Sequence, residues 1–85
     1  MVSYKLRINR SAEKELRAVP KADLKRIVVR IESLAQNPRP HGCEKLSGEE
    51  KYRVRRGDWR IVYWIGDAGK TVEIVKVGHR REVYR

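Results

Sequence analysis

The sequence predicts an α+β fold: an N-terminal strand, a two-helix hairpin, then an antiparallel sheet of about four strands. Three observations carry this. Apolar residues recur at helical spacing from Leu24 to Ala35, three alternating segments follow between positions 51 and 77, and the helical segments precede the strands instead of alternating with them. With 85 residues, a single domain over 1–85 is expected.

In residues 2–8, Val2, Tyr4, Leu6 and Ile8 alternate with Ser3, Lys5 and Arg7, the pattern of a half-buried strand. Asn9-Arg10-Ser11 breaks it, and Ser11 is the expected helix N-cap, with Glu13 and Glu15 at the positive end of the helix. Ala12, Leu16 and Val19 then place a short helix that ends near Pro20. Pro20 fits the first turn of a second helix, in which Leu24, Ile27, Val28, Ile31, Leu34 and Ala35 form one core-facing stripe. Asn37-Pro38 stops it. Residues 37–50 read as a loop that is long for so short a chain, with His41 solvated and Cys43 a small loop side chain. The strands expected next are 51–56, 59–65 and 71–77, joined by turns at Gly57-Asp58 and 66–70.

Composition narrows the function classes. Lys and Arg number 21 against 11 acidic residues, a formal charge of +10, which suits nucleic acid or another polyanion. The excess gathers at Lys51, Arg53, Arg55, Arg56 and Arg60, and again at Lys76, Arg80, Arg81 and Arg85. A single cysteine excludes an internal disulfide, and no Cys/His or carboxylate spacing suits a metal, so no cofactor is expected. With neither an apolar leader nor a run long enough to span a membrane, the cytoplasm is the expected compartment.

The stretch "YRVRRGDWRIVYW" over residues 52–64 is the informative one. A two-residue turn at Gly57-Asp58 sets Arg55 opposite Arg60 and Val54 opposite Ile61. Alternation then sends Arg53, Arg55 and Arg60 to one face and Tyr52, Val54, Ile61 and Tyr63 to the other. Like charges placed directly across a hairpin cost a few tenths to about 1 kcal/mol, which no folding rule asks for. Convergent guanidinium groups suit a phosphodiester: they grip its oxygens and stabilise the added charge of the transition state. RNA brings its own nucleophile, the 2′-OH, so orientation supplies much of the rate. The arginines do not move protons at neutral pH, which leaves His79 or Tyr84 for that task. Lys51, Arg56 and Arg81 extend the surface for RNA binding.

The blocks Lys45-Leu46-Ser47-Gly48, Tyr52-Arg53-Val54-Arg55, Gly57-Asp58-Trp59-Arg60-Ile61-Val62-Tyr63 and Val77-Gly78-His79-Arg80-Arg81-Glu82-Val83-Tyr84 resemble the RelE toxins of type II toxin–antitoxin pairs. The likeness covers nearly the whole chain. It implies a fold like that of small microbial ribonucleases, cleavage of mRNA in the ribosomal A site, and neutralisation by a RelB-like antitoxin in a hetero-oligomer. It also implies site roles. Arg53 matches the position of a proposed general base, a lysine in the best-known member. Arg55 and Arg60 match phosphate-contacting positions, Arg80 the basic group after the third strand, and Tyr84 the tyrosine that stacks on or orients the RNA. Arginine at position 53 departs from the lysine and shifts proton transfer toward His79 or Tyr84. Two further readings share the surface: a ParE-like toxin that inhibits DNA gyrase, and a basic nucleic-acid-binding module without catalysis.

Overall fold

The computed structural model describes residues 3–46 and 50–79. The chain runs β1 (Lys5–Ile8), α1 (Arg10–Arg17), α2 (Lys21–Gln36), β2 (Glu44–Lys45), β3 (Lys51–Arg56), β4 (Trp59–Gly66) and β5 (Thr71–His79). The strands form one sheet in the order β1-β5-β4-β3-β2. The α+β architecture expected from the order of helices and strands is present. Neighbours from β2 to β5 are antiparallel, and β1 completes the sheet by lying parallel to β5, with Lys5 opposite Thr71 and Ile8 opposite Ile74. Both helices lie between β1 and the remaining strands in sequence, which gives the long crossover that a parallel pair requires.

α1 begins earlier than its sequence suggests. Its N-cap is Asn9, not Ser11: Asn9 has extended backbone, and its side-chain oxygen accepts from the Ala12 N–H at 2.8 Å. The Asn9 N–H still donates to the Ile74 carbonyl at 2.9 Å, so the last residue tied to the sheet also starts the helix. Pro20 is the N-cap of α2, its carbonyl accepting from Leu24 at 2.8 Å. The stripe of α2 buries Ile27, Ile31 and Leu34, with Leu24 packed at its edge, whereas Val28 is exposed; the apolar face is narrower than the sequence pattern. Within the expected loop 37–50, Glu44 and Lys45 pair with Arg53 and Tyr52 as β2.

The core lies between the helices and one face of the sheet. Ala12, Val19, Ile27, Ile31 and Leu34 meet Tyr52, Val54, Ile61, Tyr63, Ile65, Val72, Ile74 and Val77. A β-bulge lies where Val62 pairs with Lys76 and Tyr63 with Ile74, which leaves Val75 as the extra residue of β5. The bulge resets the alternation, so Val72 and Ile74 point inward before it and Val77 after it. Tyr63 is fully buried and donates its hydroxyl to the Pro38 carbonyl at 2.6 Å; burial pushes its phenol pKa up.

A polar staple closes one end of the sheet. The Arg39 guanidinium donates to both Asp67 oxygens at 3.2 and 2.8 Å and to the Tyr52 hydroxyl at 3.2 Å, and lies over the Tyr52 ring. Tyr4 donates to Asp67 at 2.8 Å. Hydrogen bonds from Arg39 and then Tyr4 hold the Asp67 carboxyl down at about 2. Among the described residues no helix is long and apolar enough to cross a membrane.

Two outcomes are expected. A carboxyl held below its ordinary value contributes stability above its unfolded pKa near 3.8 and loses it as pH falls through about 2. The stability gap between wild type and Asp67→Asn should therefore be full at neutral pH and close between about pH 4 and pH 2, read as Tm against pH. Tyr63→Phe leaves the Pro38 carbonyl without its donor, and urea unfolding should show a loss of about 1–3 kcal/mol.

Candidate functional site on the open sheet face

The β3–β4 hairpin turns at Gly57-Asp58. Gly57 has φ +62° and Asp58 is not in the left-handed region, the pattern of a primed turn with glycine first. The register is the one the turn predicts: Arg56 opposite Trp59, Arg55 opposite Arg60, Val54 opposite Ile61 and Arg53 opposite Val62. The helices occupy the Tyr52–Val54–Ile61–Tyr63 side. Arg53, Arg55 and Arg60 therefore share the open side with Lys51 and Trp64.

The two facing arginines avoid each other by different routes. Arg60 is only 6% exposed; its Nη1 donates to the Gly57 and Trp59 carbonyls, both at 3.2 Å, so the guanidinium lies down across the turn. The Arg55 side chain stays 61% exposed and points outward, with Glu44 at 4.0 Å. Arg53 lies between these extremes: its side chain is 15% exposed, and its Nη2 donates to Glu44 at 2.8 Å. Lys51 lies over the Trp64 ring at 5.6 Å. Together with Val62 and Lys76, residues Lys51, Arg53 and Trp64 line a hollow of about 570 Å³ on this face. Three cations and one carboxylate, Glu73, line it beside an indole, so it can hold a phosphate and stack a base.

Glu44 is the carboxylate that organises the arginines, and the sequence gives no sign of it, because two residues of strand are too short to show alternation. Trp64 was within reach, since the same hairpin register pairs it with Lys51, already expected on the RNA surface.

His79 requires a correction. Its sequence position left the register open, with a place close to the arginine face if the third strand neighboured the hairpin; in the structure it pairs with Trp59, and its ring meets the indole edge-on at 5.6 Å between centroids. Gly78, not His79, stands opposite Arg60. The bulge in β5 shifts the alternation by one residue, which puts His79 on the same side as Val77, toward the helices. Arg56 also belongs to that side, exposed beside the turn. Arg80, Arg81 and Tyr84 lie outside the described residues. Among the described residues no group of three or more His, Cys, Asp or Glu side chains could hold a metal ion.

A family model described as the ParE toxin of the parDE type II toxin–antitoxin system matches residues 6–84. The chain belongs to the RelE/ParE toxin family. A putative toxin RelE1 from Methanocaldococcus jannaschii is 30% identical over 99% of this chain and 98% of its own length. Toxin RelG from Mycobacterium tuberculosis is 31% identical over 96% and 97%. Among solved structures, the toxin–antitoxin complex RelBE2 of M. tuberculosis superposes with a TM-score of 0.83 at 31% identity, covering 94% of both chains. The archaeal RelE–RelB complex of Pyrococcus horikoshii superposes with a TM-score of 0.82 at 30% identity, covering 92% of this chain and 96% of its counterpart. This RelE/ParE toxin is the toxin component of a type II toxin–antitoxin system.

The turn sets the position of Arg60 in this toxin, because Arg60 is held by the turn's own carbonyls. Gly57→Ala forces a side chain into the left-handed region and should lower stability by about 1 kcal/mol, read as the midpoint of urea unfolding.

Proposed function

We propose that this toxin is a metal-independent endoribonuclease that cleaves mRNA in the ribosomal A site and so inhibits translation in the cytoplasm. The observation that carries the reading is the placement of Arg53, Arg55 and Arg60 on one sheet face, with Arg60 fixed in advance by the turn carbonyls. Donors fixed before substrate arrives need no reorganisation when charge develops on the phosphate.

In this mechanism the arginines hold the non-bridging oxygens of the scissile phosphate. The 2′-oxygen attacks phosphorus, the 2′-OH proton leaves to a base, and the bond to the 5′-oxygen breaks as that oxygen takes up a proton. The products are a 2′,3′-cyclic phosphate and a 5′-hydroxyl. Arg53 stays charged and clamps instead of acting as the base. Of the two candidates for proton transfer, the pairing of His79 with Trp59 on the helix side favours Tyr84. Lys51 and Arg56, with Arg80 and Arg81, supply further RNA contacts, and the charge of +10 predicts strong salt dependence. Solved relatives include toxin–antitoxin complexes, which supports a RelB-like antitoxin as the partner of this chain. The ParE name on the matching family model favours one second reading, inhibition of DNA gyrase.

Primer extension on translated mRNA after induction tests the proposal. Wild type should give breaks positioned in the A site, Arg60→Gln should reduce them by about 10²–10³-fold, and His79→Ala should retain them. Gyrase–DNA cleavage complexes without mRNA breaks would replace it with the second reading.

A further inference from the structure

We infer that the groove between α2 and the tip of the β3–β4 hairpin is a second surface for the RNA phosphate backbone, separate from the open sheet face. Lys25, Arg26 and Arg30 of α2 line this groove with Arg55 and Arg56 of β3, and it encloses about 550 Å³. Val29 and Ser33 complete the lining, which contains no carboxylate. The inference rests on RNA being a ligand of this toxin, as proposed above, but not on cleavage.

Several of the toxin's other cations are held by carboxylates. Arg17 pairs with Glu13, Arg39 with Asp67, Arg53 with Glu44 and Lys76 with Glu15. Among the described residues no carboxylate comes within ion-pair distance of Lys25, Arg26, Arg30 or Arg56. Arg26 and Arg30 stand one helical turn apart, where like charges weaken a helix. Their mutual charge therefore costs the helix a little stability.

The spacing suits a nucleic-acid strand. Residues 25, 26, 29, 30 and 33 fall on one side of α2, and the rise from Lys25 to Ser33 is about 12 Å, room for successive phosphates of a strand. Guanidinium forks match phosphate oxygens in pairs. An acidic protein helix is a poorer occupant, because it would seek a row of apolar anchors, and Val29, 65% exposed, is the one apolar residue in the lining. Arg55 belongs to both the groove and the open face, so the two surfaces meet at the hairpin tip.

The test is fluorescence anisotropy with a labelled single-stranded RNA of about 20 nucleotides, titrated at several salt concentrations. Lys25→Gln/Arg26→Gln should raise Kd several-fold and lower the magnitude of the slope of log K against log salt by about 1.4, two phosphates' worth for a single strand. Its effect should multiply with that of Arg53→Gln on the open face. Both positions of the double variant are exposed, and its melting temperature checks folding; Arg30→Gln/Arg56→Gln is the second pair should the first not fold. An unchanged Kd and slope in a folded groove variant overturns the inference, as does a wild type that does not bind the RNA. Loss of affinity for a polyglutamate peptide with RNA affinity kept assigns the groove to an acidic protein segment and also overturns it. A wild type that binds RNA through the groove yet cleaves nothing on ribosomes overturns the ribonuclease reading and leaves this one standing.

Discussion

The hairpin over residues 51–66 can offer only two faces, and the helices take one of them. Tyr52, Val54, Ile61 and Tyr63 must point toward Ile27, Ile31 and Leu34 to close the core of a short chain. Everything else on those two strands is then committed to the other side. Arg53, Arg55 and Arg60 are gathered because their neighbours in sequence are needed inside. A shift of register by one residue would bury the arginines and expose the tyrosines, so core and site are specified by the same pairing.

That shared specification explains which parts of the site the sequence made legible. The hairpin could be counted residue by residue from its turn, and the observed partners agree with the count. The count fails in β5. There the apolar residues Val72 and Ile74 set one phase, Val77 obeys the other, and only the extra residue at Val75 reconciles them. His79 inherits the second phase and so leaves the face on which simple alternation would place it. Glu44 was hidden for a different reason: a strand of two residues is recognised only through the strand it pairs with. The cap of α1 moved from Ser11 to Asn9 because Asn9 is also bonded to the sheet, a tertiary fact that outweighs the equal capping preference of the two residue types.

Like charge on the open face is handled by unequal treatment of the arginines. Arg60 is desolvated against two carbonyl oxygens, Arg53 is held by Glu44, and Arg55 is left extended in water. The cost of setting Arg55 opposite Arg60, about 1 kcal/mol at most for such a pair, is reduced by sending the two side chains in different directions. On the helix side of the hairpin the cations receive no such compensation, which distinguishes a built cluster from a bare one.

The parallel pairing of β1 with β5 has a temporal consequence. Lys5 to Ile8 find their partners only at Thr71 to Ile74, beyond both helices and the hairpin. Closing so large a loop is entropically costly and is slow relative to local hairpin formation. During folding, β1 must therefore wait for β5, whose edge toward it stays unpaired until the crossover closes.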